Sequence, residues 1–220
     1  MTSSILQDVE SKLADITLPP GYRPPPIVLP TQLPLKGETL PPFITEGVHP
    51  SVLEAHHATR SWVTAILKKK QPYWLTLFGP SGCGKTFLAR HARAHLSNKQ
   101  RDCQLWNWVK AFDRLCEWDS DLMQHLCNLP ILILDDIGTG YTMSDKTAEL
   151  HSSKLYEIIE SRISKFTLIT TNLSPQQLRE RLDARIASRL FRGQNIIVDL
   201  TKADDYSYNQ YLKNQHKTQQ

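Results

Sequence analysis

The chain has 220 residues, a formal net charge of +4 and a pI near 8.8. That length suffices for one α/β domain of ordinary size with an appendage, and the mild basicity permits nucleic-acid contact without demanding it. No run approaches the roughly 18 apolar residues of a membrane-spanning helix, and Met1 to Asp8 lacks the basic and apolar regions of a secretion signal. A cytoplasmic location is therefore expected, with Cys83, Cys103, Cys116 and Cys127 as reduced thiols. Cys116, His125 and Cys127 match no usual zinc spacing.

At the start, Ile5, Leu6, Val9, Leu13 and Ile16 recur at helical spacing, predicting a short amphipathic helix within residues 1–18. A helix of that length is marginal alone, so it either packs back on the main domain or docks in a partner's groove. Residues 19–50 hold ten of the 14 prolines and predict an extended linker. A globular domain is expected over 51–206 and a disordered polar tail over 207–220.

Ser51 is the expected cap of a helix running through Val52, Ala55, Trp62, Val63 and Ile66 to Lys68, Lys69 and Lys70. The lysines read as a solvated helix end or, alternatively, a nucleic-acid contact. Tyr73 to Phe78 then predicts a buried strand. It runs into Gly79-Pro80-Ser81-Gly82-Cys83-Gly84-Lys85-Thr86, which fits the phosphate-binding pattern G-x-x-x-x-G-K-[ST], and a helical pattern follows from Phe87. Glycines let the backbone turn its N–H groups round a phosphate, and a helix N-terminus adds a favourable dipole. Lys85 supplies a mobile charge for the β- and γ-phosphates, and Thr86 a hydroxyl for Mg²⁺. The chain is thus expected to bind a nucleoside triphosphate.

Cys103 to Val109 reads as a strand with Trp106 and Trp108 on one face, as core or as a base-stacking platform. Ala111 to Cys127 reads as helical. Ile131-Leu132-Ile133-Leu134-Asp135-Asp136 is an unbroken apolar run ending in two carboxylates. Continuous apolarity predicts a central strand of a parallel sheet, whose carboxyl end is where ligands gather. One carboxylate is expected on Mg²⁺, assigned to Asp135; the other, Asp136, orients or deprotonates the attacking water.

After a helix over Leu150 to Ile163, Phe166 to Asn172 predicts another strand. Asn172 is expected either to bond the γ-phosphate or attacking water, or to cap the helix beginning near Ser174 and Pro175. Gln176 to Arg192 reads as one amphipathic helix. Leu178, Leu182, Ile186 and Leu190 form its apolar stripe, and Arg181, Arg185 and Arg189 a neighbouring solvent-facing one. An arginine stripe is either a solvated face or a phosphate-reading one. Asn195 to Leu200 supplies the fifth strand.

Taken together, these elements resemble the AAA+ ATPases over roughly Phe43 to Tyr206. Gly79–Thr86 resembles Walker A, Ile131–Asp136 Walker B, Asn172 sensor 1, and Arg181–Leu190 box VII of the initiator/loader clade. The subgroup most resembled is the DnaC/DnaI-type helicase loaders, on Leu168–Ser174 and on Asp205-Tyr206. The resemblance implies a P-loop α/β fold with a five-stranded parallel sheet in the order 5-1-4-3-2, flanked by helices, without a C-terminal lid domain. It implies ATP and Mg²⁺ as ligands, and Asp136, Asn172 and Arg189 as catalytic residues. Arg189 would act as an arginine finger on ATP held by a neighbouring copy. It further implies self-association, a DnaB-type hexameric helicase and single-stranded DNA as partners, and no membrane. Walker B ends Asp-Asp where many relatives have Asp-Glu, and the shorter carboxylate implies slow hydrolysis suited to a switch. Lys110 and Lys146 are candidate DNA contacts.

Alternative functions stay open at this point. An IstB-type transposition helper has the same core, with a transposase as partner and duplex DNA as track. A P-loop small-molecule kinase would need an acceptor pocket and a lid, for which the sequence offers no clear insertion. A scaffold with vestigial hydrolysis is opposed by intact Lys85, Thr86, Asp135 and Asp136.

Overall fold

The computed structural model describes Phe43 and residues 48–117, 120–138 and 145–206. The expectations for 1–18, for nearly all of 19–50, for the tail 207–220 and for the Lys146 side chain lie outside the described residues.

The first described helix, α1 (Pro50–Leu67), starts one residue before the expected cap. Proline at the first helical position lacks the N–H that would be orphaned there. His49 takes the capping role instead, its ring nitrogen accepting from the Ser51 N–H at 3.2 Å. Then follow β1 (Trp74–Phe78), α2 (Lys85–Asn98), β2 (Cys103–Asn107), α3 (Trp108–Cys116), α4 (Ser120–Asn128) and β3 (Ile131–Ile137). The rest is α5 (Asp145–Ser161), β4 (Phe166–Thr171), α6 (Pro175–Arg181), α7 (Ala184–Leu190) and β5 (Ile196–Asp199).

All pairings are parallel, in the order β2-β3-β4-β1-β5, which is the expected 5-1-4-3-2 read from the other edge. Alternate residues of β3 explain its unbroken apolarity. Leu132 and Leu134 pack with α3 to α7, whereas Ile131 and Ile133 face the layer made by α1 and α2. Both sheet faces are covered by helices, so neither side of the strand meets water.

Three expected elements differ. Trp108 does not extend β2; it opens α3, which Asn107 caps by accepting from the Lys110 N–H. Both Trp106 and Trp108 are buried, which decides for core over stacking platform. The helical stretch expected over 111–127 comprises two helices, α3 and α4. The expected helix over 176–192 is also two, because Asp183 leaves helical geometry (φ −166°, ψ 138°) and caps α7 through the Arg185 N–H at 2.6 Å. Its apolar stripe survives the break, since Leu178, Ile186 and Leu190 are all fully buried.

Arg162, just past α5, is wholly buried, and among the described residues no carboxylate pairs with it. Its guanidinium donates to the carbonyls of Leu126, Leu129 and Phe166 and to the Thr167 hydroxyl, at 2.8 to 3.0 Å. The planar fork thereby satisfies carbonyls left over at the end of α4. Burial lowers its pKa to about 10, still high enough to keep it a cation near neutrality.

Candidate functional site

The carboxyl ends of β1, β3 and β4 lie side by side, and every expected site residue except Arg189 emerges there. From β1 the chain enters the turn 79–84, anchored by the Gly79 N–H donating to the Thr171 carbonyl of β4 at 3.2 Å. Gly84 begins α2 in a left-handed conformation (φ 97°), a form that glycine adopts without a Cβ clash. It offers no side-chain cap, and a Cβ placed on it would meet only open space. The first N–H groups of this 14-residue helix have no partner within the helix itself. Lys85 is buried, and its ammonium donates to the carbonyls of Gly79 (2.8 Å) and Pro80 (2.6 Å) within the same turn.

Thr86, the next residue on α2, donates to Asp135 Oδ1 at 3.1 Å. The buried Asp135 carboxylate also accepts from the Thr170 hydroxyl at 2.6 Å, while that hydroxyl accepts the Asp136 N–H at 2.9 Å. The ladder explains this arrangement. Leu134 pairs with Ile169, but the next pair is Ile137 with Thr171, so β3 holds one extra residue. This bulge carries both carboxylates, with Asp136 at φ 61°. Bulges re-aim side chains in this way, and the left-handed backbone costs on the order of 1 kcal/mol for a non-glycine. Asp136 is half-buried, and burial followed by the neighbouring Asp135 charge raises its pKa, with Lys85 pulling the other way.

Asn172 follows β4 directly, next to the carbonyl that anchors Gly79, and is half-buried. The helix after it is capped by Ser174 in a reciprocal box with Gln177, not by Asn172. The capping role considered for Asn172 therefore falls away.

Arg189 lies elsewhere. It lines a hollow beside Gln71, Tyr73 and Trp74, at the opposite end of β1 from the turn. Its solvent-facing expectation is half met. Arg181 and Arg185 are exposed, but the Arg189 side chain is only 19% exposed, paired with Glu160 and donating to the Tyr156 hydroxyl at 3.2 Å. Its guanidinium also stacks over the Tyr156 ring, 5.0 Å from the centroid.

Two contributors escaped sequence reasoning. Thr170 organises the carboxylates, and the only sequence signal was a hydroxyl at a strand end in Thr170-Thr171-Asn172. The second is the strap after β5. The Tyr206 N–H donates to the Gly82 carbonyl at 3.1 Å, and a Cβ on Gly82 would come within 2.3 Å of the Asp205 carboxyl group. Gly82 is thus required by close approach as well as by its φ of 77°. Among the described residues no group of three or more His, Cys, Asp or Glu side chains is placed to hold a metal ion.

A turn of backbone N–H groups at a helix start, a lysine inside it and a hydroxyl–carboxylate pair fit a magnesium–nucleoside triphosphate. Fold and site together define a P-loop α/β nucleoside triphosphatase. A family model, the ATPase family associated with various cellular activities (AAA), matches residues 75–194, over half of the chain. The chain belongs to that family, and its structural neighbours support a DnaC-type AAA+ ATPase. The chain is similar to the crystal structure of the DnaC helicase loader, with 26% identity and a TM-score of 0.56 over 69% of this chain and 90% of that one. It shares its fold with DnaI (21% identity, TM-score 0.55, covering 68% and 81%). The fold also matches AMPPCP-bound DnaA from Aquifex aeolicus (18% identity, TM-score 0.59, covering 82% and 57%). No curated protein matches the chain. No helix among the described residues is long and apolar enough to cross a membrane.

Proposed function

We propose that this protein is an ATP-dependent loader. It binds a DnaB-type hexameric replicative helicase in the cytoplasm and delivers it to single-stranded DNA, with ATP binding and hydrolysis switching its assembly. The observation that carries this reading is the likeness to the DnaC helicase loader, which covers 90% of the chain in that crystal structure and 69% of this one.

Gly79 to Thr86 would enclose the phosphates, with Lys85 exchanging its carbonyl partners for phosphate oxygens. Thr86 and Asp135, already in contact, would hold the magnesium ion, which neutralises phosphate charge when bound. Asp136, whose pKa is raised by burial and then by the Asp135 charge, would act as the proton acceptor for the attacking water. Asn172 would orient the attacking water from the end of β4.

Arg189 would act on the triphosphate of a neighbouring copy. Its distance from its own turn supports this, because no contact of its side chain involves residues 79–86. Glu160 and Tyr156 present the guanidinium at that far end of the molecule. Replacing Arg189 with alanine should lower ATP turnover in the presence of helicase and DNA by on the order of 10³, with nucleotide affinity nearly unchanged. Normal turnover by that variant would refute the finger role. The loader reading is tested by co-purifying the full chain with a ring helicase, with and without ATP. Capture of a transposase in place of the helicase would replace it with the transposition-helper reading.

A further inference from the structure

Asp135 and Asp136 face a single residue across the β3–β4 ladder. Leu134 pairs with Ile169 and Ile137 with Thr171, which leaves Thr170 opposite the bulge. Thr170 and Thr171 are both fully buried, yet their hydroxyls do different things. That of Thr171 ties backbone to backbone, donating to the Ile137 carbonyl at 2.8 Å and accepting the Leu173 N–H at 3.1 Å. That of Thr170 joins one carboxylate residue to the other.

A hydroxyl has one proton to give. The Asp136 N–H can only donate, so it takes a lone pair of Thr170 Oγ1, at 2.9 Å. The hydroxyl proton is thereby committed to Asp135 Oδ1, at 2.6 Å. The same Oδ1 accepts from Thr86, at the start of α2, at 3.1 Å. The sense of the chain is therefore fixed, from the Asp136 backbone through Thr170 to Asp135, where Thr86 meets it from the other side. Among the described residues, both bonds that the Asp135 side chain accepts fall on Oδ1. One oxygen of the carboxylate is thus held by two elements, α2 and β4, and the other is kept for a ligand. At Asp136 the same hydroxyl secures a backbone of φ 61°, a conformation that needs support at a residue other than glycine.

We infer that Thr170 is a positioning residue of the triphosphate site. Its hydroxyl holds the Asp135 carboxylate in the orientation that a magnesium–nucleotide requires. Through the Asp136 N–H it also holds the backbone that aims the acceptor for the attacking water. The inference rests on the reading of Asp135 as magnesium ligand and of Asp136 as acceptor. Groups that stand behind a metal ligand in this way govern about 10- to 100-fold in metal affinity or activity.

The test uses the full chain and a mant-labelled, non-hydrolysable ATP analogue, bound in EDTA and in magnesium, beside saturated ATP turnover. Thr170→Val keeps the shape of the side chain and removes the hydroxyl. It should bind the analogue like the parent in EDTA, because residues 79–86 are untouched. The tightening that magnesium brings should shrink by on the order of tenfold, and turnover should fall by on the order of 10². Thr170→Ser, which restores the hydroxyl, should recover both. Thr167→Val is the structural comparison. Its buried hydroxyl accepts from Arg162 and donates to the Lys165 carbonyl at the opposite end of β4, so its loss should lower the melting temperature and leave the magnesium tightening intact. If Thr170→Val keeps the parental tightening and turnover, the positioning role is wrong while the metal reading stands. If magnesium does not tighten binding by the parent itself, the metal reading fails and the inference with it. Loss of analogue binding by Thr170→Val in EDTA would make the hydroxyl a folding element and overturn the role as well.

Discussion

Asp135 and Asp136 are neighbours in sequence but meet different surroundings. One is buried with two hydroxyl partners, and the other is half-buried at a left-handed backbone position. The difference comes from one extra residue in β3 and from the Thr170 hydroxyl, which links the two residues. His151 shows the same dependence on surroundings away from the site. Buried among Trp108 and Phe112, it accepts the Trp108 indole N–H, and burial lowers its pKa to about 4. The unfolded chain takes up this proton near pH 6.5 and the fold resists it until about pH 4, so protonation favours unfolding. Stability should therefore be flat on this account above about pH 6.5. It should then fall by up to ~3 kcal/mol as pH drops towards 4. Urea titrations across that range measure it, and His151→Gln, which retains an acceptor, should remove much of the slope.

The arginine-rich region shows how an element can be misjudged while its pattern is read correctly. Leucines and arginines at i+4 spacing suggested one helix over 176–192, and the buried positions agree with that spacing. Asp183 nevertheless interrupts it, because an acidic side chain capping α7 competes with helix continuation. The Arg185 guanidinium closes the same carboxylate at 2.8 Å and lies 4.4 Å from the Tyr156 ring centroid. Asp183→Ala should cost about 1 kcal/mol through the lost cap, read as a shift of the urea midpoint at constant slope. Unchanged stability would mean that α6 and α7 fuse at no cost. The same logic accounts for α1 and α3. In each, a residue ahead of the expected helix start, His49 or Asn107, supplied the cap, and cap choices depend on local geometry that periodicity does not carry.

For the whole molecule, the parallel sheet separates two chemistries by the length of a strand. The triphosphate turn lies at one end, and Arg189 lies at the other. Such a molecule can complete a triphosphate site from two copies only by stacking unlike ends, a head-to-tail contact that builds rings or helical filaments. Sedimentation of the full chain should therefore show larger species with a non-hydrolysable ATP analogue than without nucleotide. Lys85→Ala should remain small under both conditions. Equal sedimentation of the parent protein with and without nucleotide would contradict a nucleotide-switched assembly.

Sequence alone specified the strand–turn–helix at 74–98 and the central strand ending in carboxylates, and its resemblance to the AAA+ ATPases implied the sheet order. These features are written in short-range order: period-two or continuous apolar runs, glycines at fixed offsets, a lysine and a threonine one residue apart. The fold alone decided the β3 bulge, the Thr170 bridge, the buried Arg162 fork and the clasp of Glu160 on Arg189. Each of these joins residues that are far apart along the chain, and such pairings exist only once a parallel sheet has brought separate loops to a common edge.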